Sequence, residues 1–284
     1  GQVWTLAPFN PRGLAESSYA AFRRMLRAAM SRAGLVRIDH VMGLTRAFWV
    51  PVDELGGAEG GTYVAQPAAA LLALVRIEAD RARTVVVGED LGTVPEGFRD
   101  RLAASGLHGC AILQFDGGPG GHPSPQDARP ETLAAFGTHD APTLAGWWRG
   151  ADIDLRLSLD HIDAAAAETE RAARAQSRQA LARRLAEEDL LPAAADPETP
   201  PDTLDDAWRD AVHALVARSA SALAALQLDD ALGAEDPQNL PGTVDEHPNW
   251  RRLHDAPPEG LAADPRLRRA AALFRNERND PASL

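Results

Sequence analysis

Three acidic residues stand just behind short apolar runs: Asp39 after 35–38, Glu89 after 84–87 and Asp140 after 132–137. Carboxyl groups placed this way are suited to breaking a glycosidic bond. One acts as nucleophile or base at the anomeric carbon, and a second, with a raised pKa, acts as the acid. A third can stabilise an oxocarbenium-like centre electrostatically. Strand-end acids also serve as solvated caps, so spacing alone leaves both roles open. Arg37 and Asp39 are two apart and therefore on one side of a strand. A buried guanidinium there would keep the carboxylate ionised and fix its rotamer, or form a purely structural salt bridge. Glu89 follows an apolar strand, where desolvation would raise its pKa toward that of a working acid. Its neighbour Asp90 is expected to hold the loop or cap a helix, and His139 is placed either to donate to a sugar hydroxyl or to serve a structural role.

The elements that must carry these residues alternate. Residues 14–33 predict a helix with Gly34 as a left-handed cap, and 35–38 a short strand. A Gly-rich loop at 56–61 and an Ala/Leu-rich helix over 67–80 precede a buried strand at 84–87. A helix over 95–105, a strand at 110–115 and another at 132–137 follow. Such alternation predicts an α/β fold with a parallel sheet, whose strands end on one edge. On a (β/α)₈ barrel that edge supplies the catalytic residues. The intervals of 50 residues from Asp39 to Glu89 and 51 to Asp140 each fit one or two βα units of about 31 residues. Further on, 162–188 and 203–225 read as helices, 192–201 as a linker and 226–228 as a last short strand. The tail beyond 255 is charged and proline-bearing, with a polar end expected to fray.

Composition bounds the function. The 284 residues are 45% hydrophobic and 25% charged, enough to build a sizeable core. The net charge of −12 argues against general nucleic-acid binding. No apolar run approaches the ~18 residues of a membrane span. Cys110, the single cysteine, rules out an internal disulfide framework and a thiolate-rich metal site, and points to a reducing, cytoplasmic setting. The chain opens on Gly1 with no basic-then-apolar leader, and its first residues read as a loop. The expectation is that it starts partway through a larger protein.

Five segments carry a resemblance: RIDHVMGLTRAFWVP (37–51), VVGEDLGTVPEGF (86–98), GCAILQF (109–115), GTHDAPTLAGWW (137–148) and NLPGTVDEHPNWRRL (239–253). In order and spacing the chain resembles the 4-α-glucanotransferases, or amylomaltases, of glycoside hydrolase family 77 in the α-amylase-like barrel superfamily. The resemblance covers nearly all of 1–255. It implies an incomplete TIM (β/α)₈ barrel of about strands four to eight, with a helical insertion at about 155–225 before the last strand and a separate tail at 256–284. It implies Asp39 as the nucleophile forming a covalent glucosyl intermediate with Arg37 as partner, Glu89 as acid/base, and Asp140 as transition-state stabiliser beside His139 and His40. Gln2 and Trp4 resemble part of a loop over the sugar subsites; Asn239, Pro241 and Gly242 resemble a second. Trp147 is expected in the core. Ala141-Pro142 stands where many members have Asn-Asp, and Thr5 where Gly is frequent, which bears on subsites rather than on the carboxylates.

The implied reaction is retaining transfer of α-1,4-glucan segments between maltooligosaccharides, with no cofactor and no metal. Hydrolysis by the same carboxylates is the nearest alternative. A metal-dependent hydrolase built on His40, Glu89, His139 and Asp140, and an inactive glucan-binding remnant, are the others. Five strands cannot close a barrel, so the chain alone is expected to be poorly stable or to need the missing half.

Overall fold

A computed structural model describes residues 6–51, 60–117, 121–254 and 257–279. It divides into two compact units, Gly1–Cys110 and Ala111–Leu284.

In the first unit, α1 (Pro11–Glu16) begins at Asn10, whose side chain accepts the amides of Arg12 and Gly13. The single helix expected over 14–33 is broken here. The Ser17 hydroxyl donates back to the Gly13 carbonyl at 2.6 Å, and Ser18 and Tyr19 take left-handed φ values of 50° and 58°. Side-chain bonding of this kind competes with the helix ladder. Helix α2 (Ala20–Met30) then buries Phe22, Leu26 and Met30 along one face. It is capped by Ser31 in right-handed geometry, not by Gly34, whose φ is not positive.

Strand β1 (Leu35–Ile38) leads into a 3₁₀ turn, Val41–Leu44. An antiparallel pair that sequence patterning did not predict follows, β2 (Arg46–Trp49) with β3 (Thr62–Ala65). Helix α3 (Ala68–Ala82) and strand β4 (Val85–Gly88) come next. β1 and β4 pair in parallel from Leu35↔Val85 to Ile38↔Gly88. The ladder continues to His108, which exchanges bonds with Val86 and Gly88 across 2.9 and 2.7 Å. Helix α4 (Phe98–Ala104) starts three residues later than expected. Val41, Leu71, Val75, Val86, Phe98 and Leu102 join the α2 face in one core, and burying each side chain of this size stabilises the fold by about 1.5–3 kcal/mol.

Strand β5 (Gly109–Ile112) crosses the division between units, and a short helix, α5 (Leu113–Asp116), follows it. The second unit continues with β6 (Thr132–Ala135), α6 (Leu144–Arg149), α7 (Ala151–Ser158), α8 (Ala164–Glu187) and α9 (Asp206–Ala217). Next come β7 (Leu223–Ala224), α10 (Leu228–Leu232), α11 (Pro258–Leu261) and α12 (Pro265–Asn279). The sheet order is β5-β6-β7, with β7 parallel to β6 through Leu133↔Leu223 and Ala134↔Ala224. The last strand therefore lies earlier than the expected 226–228, because Leu228 already opens a helix. Trp147 is in the core with Phe136, Trp148, Leu181, Leu185, Trp208 and Leu215, as expected.

The charged segment beyond 255 carries two helices, and the polar end expected to fray, 280–284, lies outside the described residues. α12 docks on α9, with Arg269 reaching Asp206 at 2.8 Å and Asp210 at 2.9 Å. Arg218, the residue after α9, holds Glu277 at 2.6 Å. Among the described residues the strands form two two-stranded sheets and one three-stranded sheet, and no closed barrel. No helix among them is long and apolar enough to cross a membrane.

Candidate functional site

Asp39 and Glu89 are the next residues beyond the register pair Ile38↔Gly88. They stand side by side at the C-terminal ends of two neighbouring parallel strands, which run ~4.8 Å apart. The backbone fastens them. The Glu89 amide donates to the Ile38 carbonyl at 2.8 Å, and the Val41 amide donates to the Glu89 carbonyl at 3.0 Å. Gly88 permits this crossing, because a Cβ there would lie 2.7–2.9 Å from the buried Val41 side chain.

Arg37 Nη1 meets Asp39 Oδ1 at 2.7 Å, so the two residues share one side of the strand as expected. The expected burial of that arginine does not hold. The two side chains are 33% and 75% exposed, because this face of β1 carries the outward positions while Val36 and Ile38 pack inward. Glu89 is only half-buried, and in place of an apolar setting it meets main-chain donors. Its Oε2 accepts the His40 amide at 2.8 Å and its Oε1 the Leu91 amide at 2.7 Å. His40 reaches this carboxyl through a left-handed φ of 44°, an uncommon backbone for a residue with a Cβ.

Asp90 holds the loop, as predicted. Its fully buried carboxylate accepts the Cys110 amide at 2.7 Å and Arg99 Nε at 3.0 Å. Burial, then the Asp90 charge, pushes the Cys110 thiol up to about 11, which makes it a poor nucleophile at neutral pH.

In the second unit, Asp140 stands five residues beyond β6 with both oxygens engaged. Asn239 Nδ2 donates to its Oδ1 at 2.6 Å, and His139 Nε2 lies 3.2 Å from its Oδ2. Pro241 and Gly242 form the exposed turn that follows Asn239. Gly242 has φ 88°, and the turn is stapled by Asn249, which accepts the Leu240 amide and donates to Thr243 Oγ1. Gln2 and Trp4 lie outside the described residues. Among the described residues no three or more His, Cys, Asp or Glu side chains are grouped to hold a metal ion.

Two residues here escaped the sequence reading. Asp230, 1% exposed, accepts the Leu144 amide at 2.7 Å and so caps the helix that follows the Asp140 loop. Burial, reinforced by the Asp229 charge, pushes it up to about 7. Trp250 places its ring 5.5 Å from the His139 ring. Nothing in the composition around 230 marks a buried acid, whereas the lone tryptophan in a polar loop was a usable signal.

Residues 1–256 match the profile of the family Glyco_hydro_77, described as 4-alpha-glucanotransferase. The chain belongs to this family. All five motifs lie inside the matched region of this 4-alpha-glucanotransferase family member. It is 41% identical over 256 residues to the 4-alpha-glucanotransferase of Mycobacterium tuberculosis (strain ATCC 25618 / H37Rv), covering 88% of this chain and 34% of the relative. With the 4-alpha-glucanotransferase of Haemophilus influenzae it shares 36% over 254 residues, covering 88% and 36%. The crystal structure of amylomaltase from Corynebacterium glutamicum superposes with a TM-score of 0.86 at 32% identity, over 96% of this chain and 40% of that one. Amylomaltase from Streptococcus agalactiae in complex with acarbose matches at 0.65 and 21% identity, over 97% and 47%, which is a likeness of fold alone. The chain spans about a third of the length of the curated relatives it matches.

Proposed function

We propose that the chain carries the catalytic carboxylates of a retaining 4-α-glucanotransferase acting on maltooligosaccharides. The observation that carries the reading is the placement of Asp39 and Glu89 at adjacent ends of β1 and β4. A carboxyl separation of about 5–5.5 Å suits a double displacement. Asp39 attacks the anomeric carbon while Glu89 protonates the departing 4-oxygen, leaving a glucosyl ester on Asp39. The 4-hydroxyl of a second glucan then gives its proton to Glu89 and attacks that carbon, which frees Asp39 and restores the α-linkage. Arg37 orients Asp39 through their 2.7 Å ion pair.

Glu89 accepts one amide on each oxygen, which leaves a second lone pair on each to carry the proton for the departing 4-oxygen. Asp140 takes its role, holding hydroxyls of the distorted sugar, from the motif in which it stands. His139 and Asn239 fix its rotamer. His40 borders the nucleophile, and Gln2, Trp4 and Pro241 belong to covering loops.

We place these strands as about the fourth to eighth of a TIM barrel, with residues 155–225 inserted before the last strand and 256–284 a separate C-terminal segment. The relatives' greater length supports the inference that further strands complete it. A single cysteine suits a cytoplasmic enzyme. The test is incubation with maltotriose, using the chain alone and the chain mixed with the remaining part of the M. tuberculosis relative. Glucose and longer maltooligosaccharides without new reducing ends, lost in Asp39→Ala, support the reading. Net hydrolysis, or activity unchanged in Asp39→Ala, refutes it.

A further inference from the structure

Resting on the glucan-transfer reading, we propose that Trp250 is a stacking platform that seats a glucose ring of the α-1,4-glucan beside Asp140. The described Trp147, Trp148 and Trp208 are buried in the core of the second unit, whereas Trp250 is 62% exposed. Its backbone is left-handed at φ 60°. For a bulky side chain that is a true outlier, and it persists only where the surroundings impose it.

The surroundings do impose it. The Trp250 amide donates to the Gln238 carbonyl at 2.8 Å, joining the indole to the segment that carries Asn239. Asn249, next in the chain, staples the Pro241-Gly242 turn. Buried His247 is bonded to the Pro237 carbonyl at 3.1 Å. The strained backbone thus holds a large apolar ring out toward solvent from a fastened loop.

What the ring faces gives the ligand class. Its centroid lies 5.5 Å from that of His139, tilted by 46°, and His139 and Asn239 hold the two oxygens of Asp140. An apolar plate is therefore set against an imidazole that leads on to a carboxylate and its amide partner. A glucose ring has that polarity: C–H bonds on its faces and hydroxyls around its rim. An aromatic face covers the first while polar groups at its border bind the second. A free phosphate or a nucleotide would instead meet the negative charge of Asp140. A protein partner covering the indole is the competing outcome for the test.

The experiment measures maltoheptaose binding by calorimetry and by tryptophan fluorescence to the 284-residue chain, alone and mixed with the remaining part of the M. tuberculosis relative, for the wild type, Trp250→Phe and Trp250→Asn. Asparagine accepts left-handed backbone, so Trp250→Asn removes the ring without stranding the loop. Expected is a roughly tenfold weaker Kd in Trp250→Asn, loss of the maltoheptaose-induced fluorescence change, and near wild-type binding in Trp250→Phe. Where transfer activity is measurable, KM rises and kcat changes little. Wild-type binding retained in Trp250→Asn overturns the platform and leaves the transfer reading intact. A wild-type chain that binds no maltoheptaose and transfers no glucose, with or without the rest of a family member, overturns both.

Discussion

Replacing Asp230 by Asn tests how the Asp140 loop is anchored. The carboxyl is buried, accepts the Leu144 amide at 2.7 Å and faces Gln227 Nε2 at 3.3 Å. Burial lifts its pKa from 3.8 to about 7. Between those two values the folded protein keeps a proton that the unfolded chain has already lost. Unfolding there releases a proton, so this group's contribution to stability falls as pH rises, and below pH 4 the effect vanishes. Three pH units at about 1.4 kcal/mol each set the span at about 4 kcal/mol. The amide oxygen of Asn still accepts from Leu144, and the variant does not titrate. Urea unfolding of both proteins from pH 4 to 8 is the assay. The wild type should lose ground to Asp230→Asn by about 4 kcal/mol across that range. A difference that stays constant with pH refutes the reasoning. Taking the difference matters because buried His122 and His213, pushed down to about 4 and about 3, act the other way. Unfolded histidine binds a proton below about 6.5, so those two destabilise the fold as pH falls.

His213→Leu should accordingly flatten acid destabilisation between pH 6.5 and 4, read as a smaller drop in Tm over that interval than in the wild type. Gly88→Ala should cost about 1–3 kcal/mol by overpacking against Val41, and Val41→Ala in the same chain should recover part of it, both measured by urea denaturation. Cys110, with its thiol pushed up to about 11, should label slowly with a disulfide reagent at pH 8 and speed up toward pH 11; fast labelling at pH 7 contradicts that raised pKa. Arg37→Ala should change stability by less than about 1 kcal/mol, since its partner Asp39 is exposed, and on the proposed reading it should lower the rate of glucan transfer in the maltotriose assay.

Strand ends were the legible part of this chain. A run such as Val-Val-Val before Gly-Glu-Asp announces both a strand and what stands at its tip, and Asp39 and Glu89 do follow the ends of two neighbouring strands. The same local logic assigned Asp90 to the loop and Trp147 to the core. It failed where side-chain hydroxyls redirect the backbone, as at Ser17, and where a strand is only two residues long, as at Leu223–Ala224. It also failed where contacts span long stretches of chain. Asp230 reaches Leu144 across 86 residues, and Asn239 reaches Asp140 across 99. Helix α12 looked like a charged tail because Arg269 finds its acids on α9, about 60 residues away in sequence, rather than within its own turn.

Glu89 is oriented by two donors that belong to the main chain, at His40 and Leu91. Every amino acid except proline supplies the same N–H at those positions. Neighbouring side chains can therefore drift over evolutionary time without disturbing how this acid is aimed, provided the path of the polypeptide survives. Its aim is inherited with the turn itself, and a proline at 40 or 91 is the lesion to which it is most vulnerable.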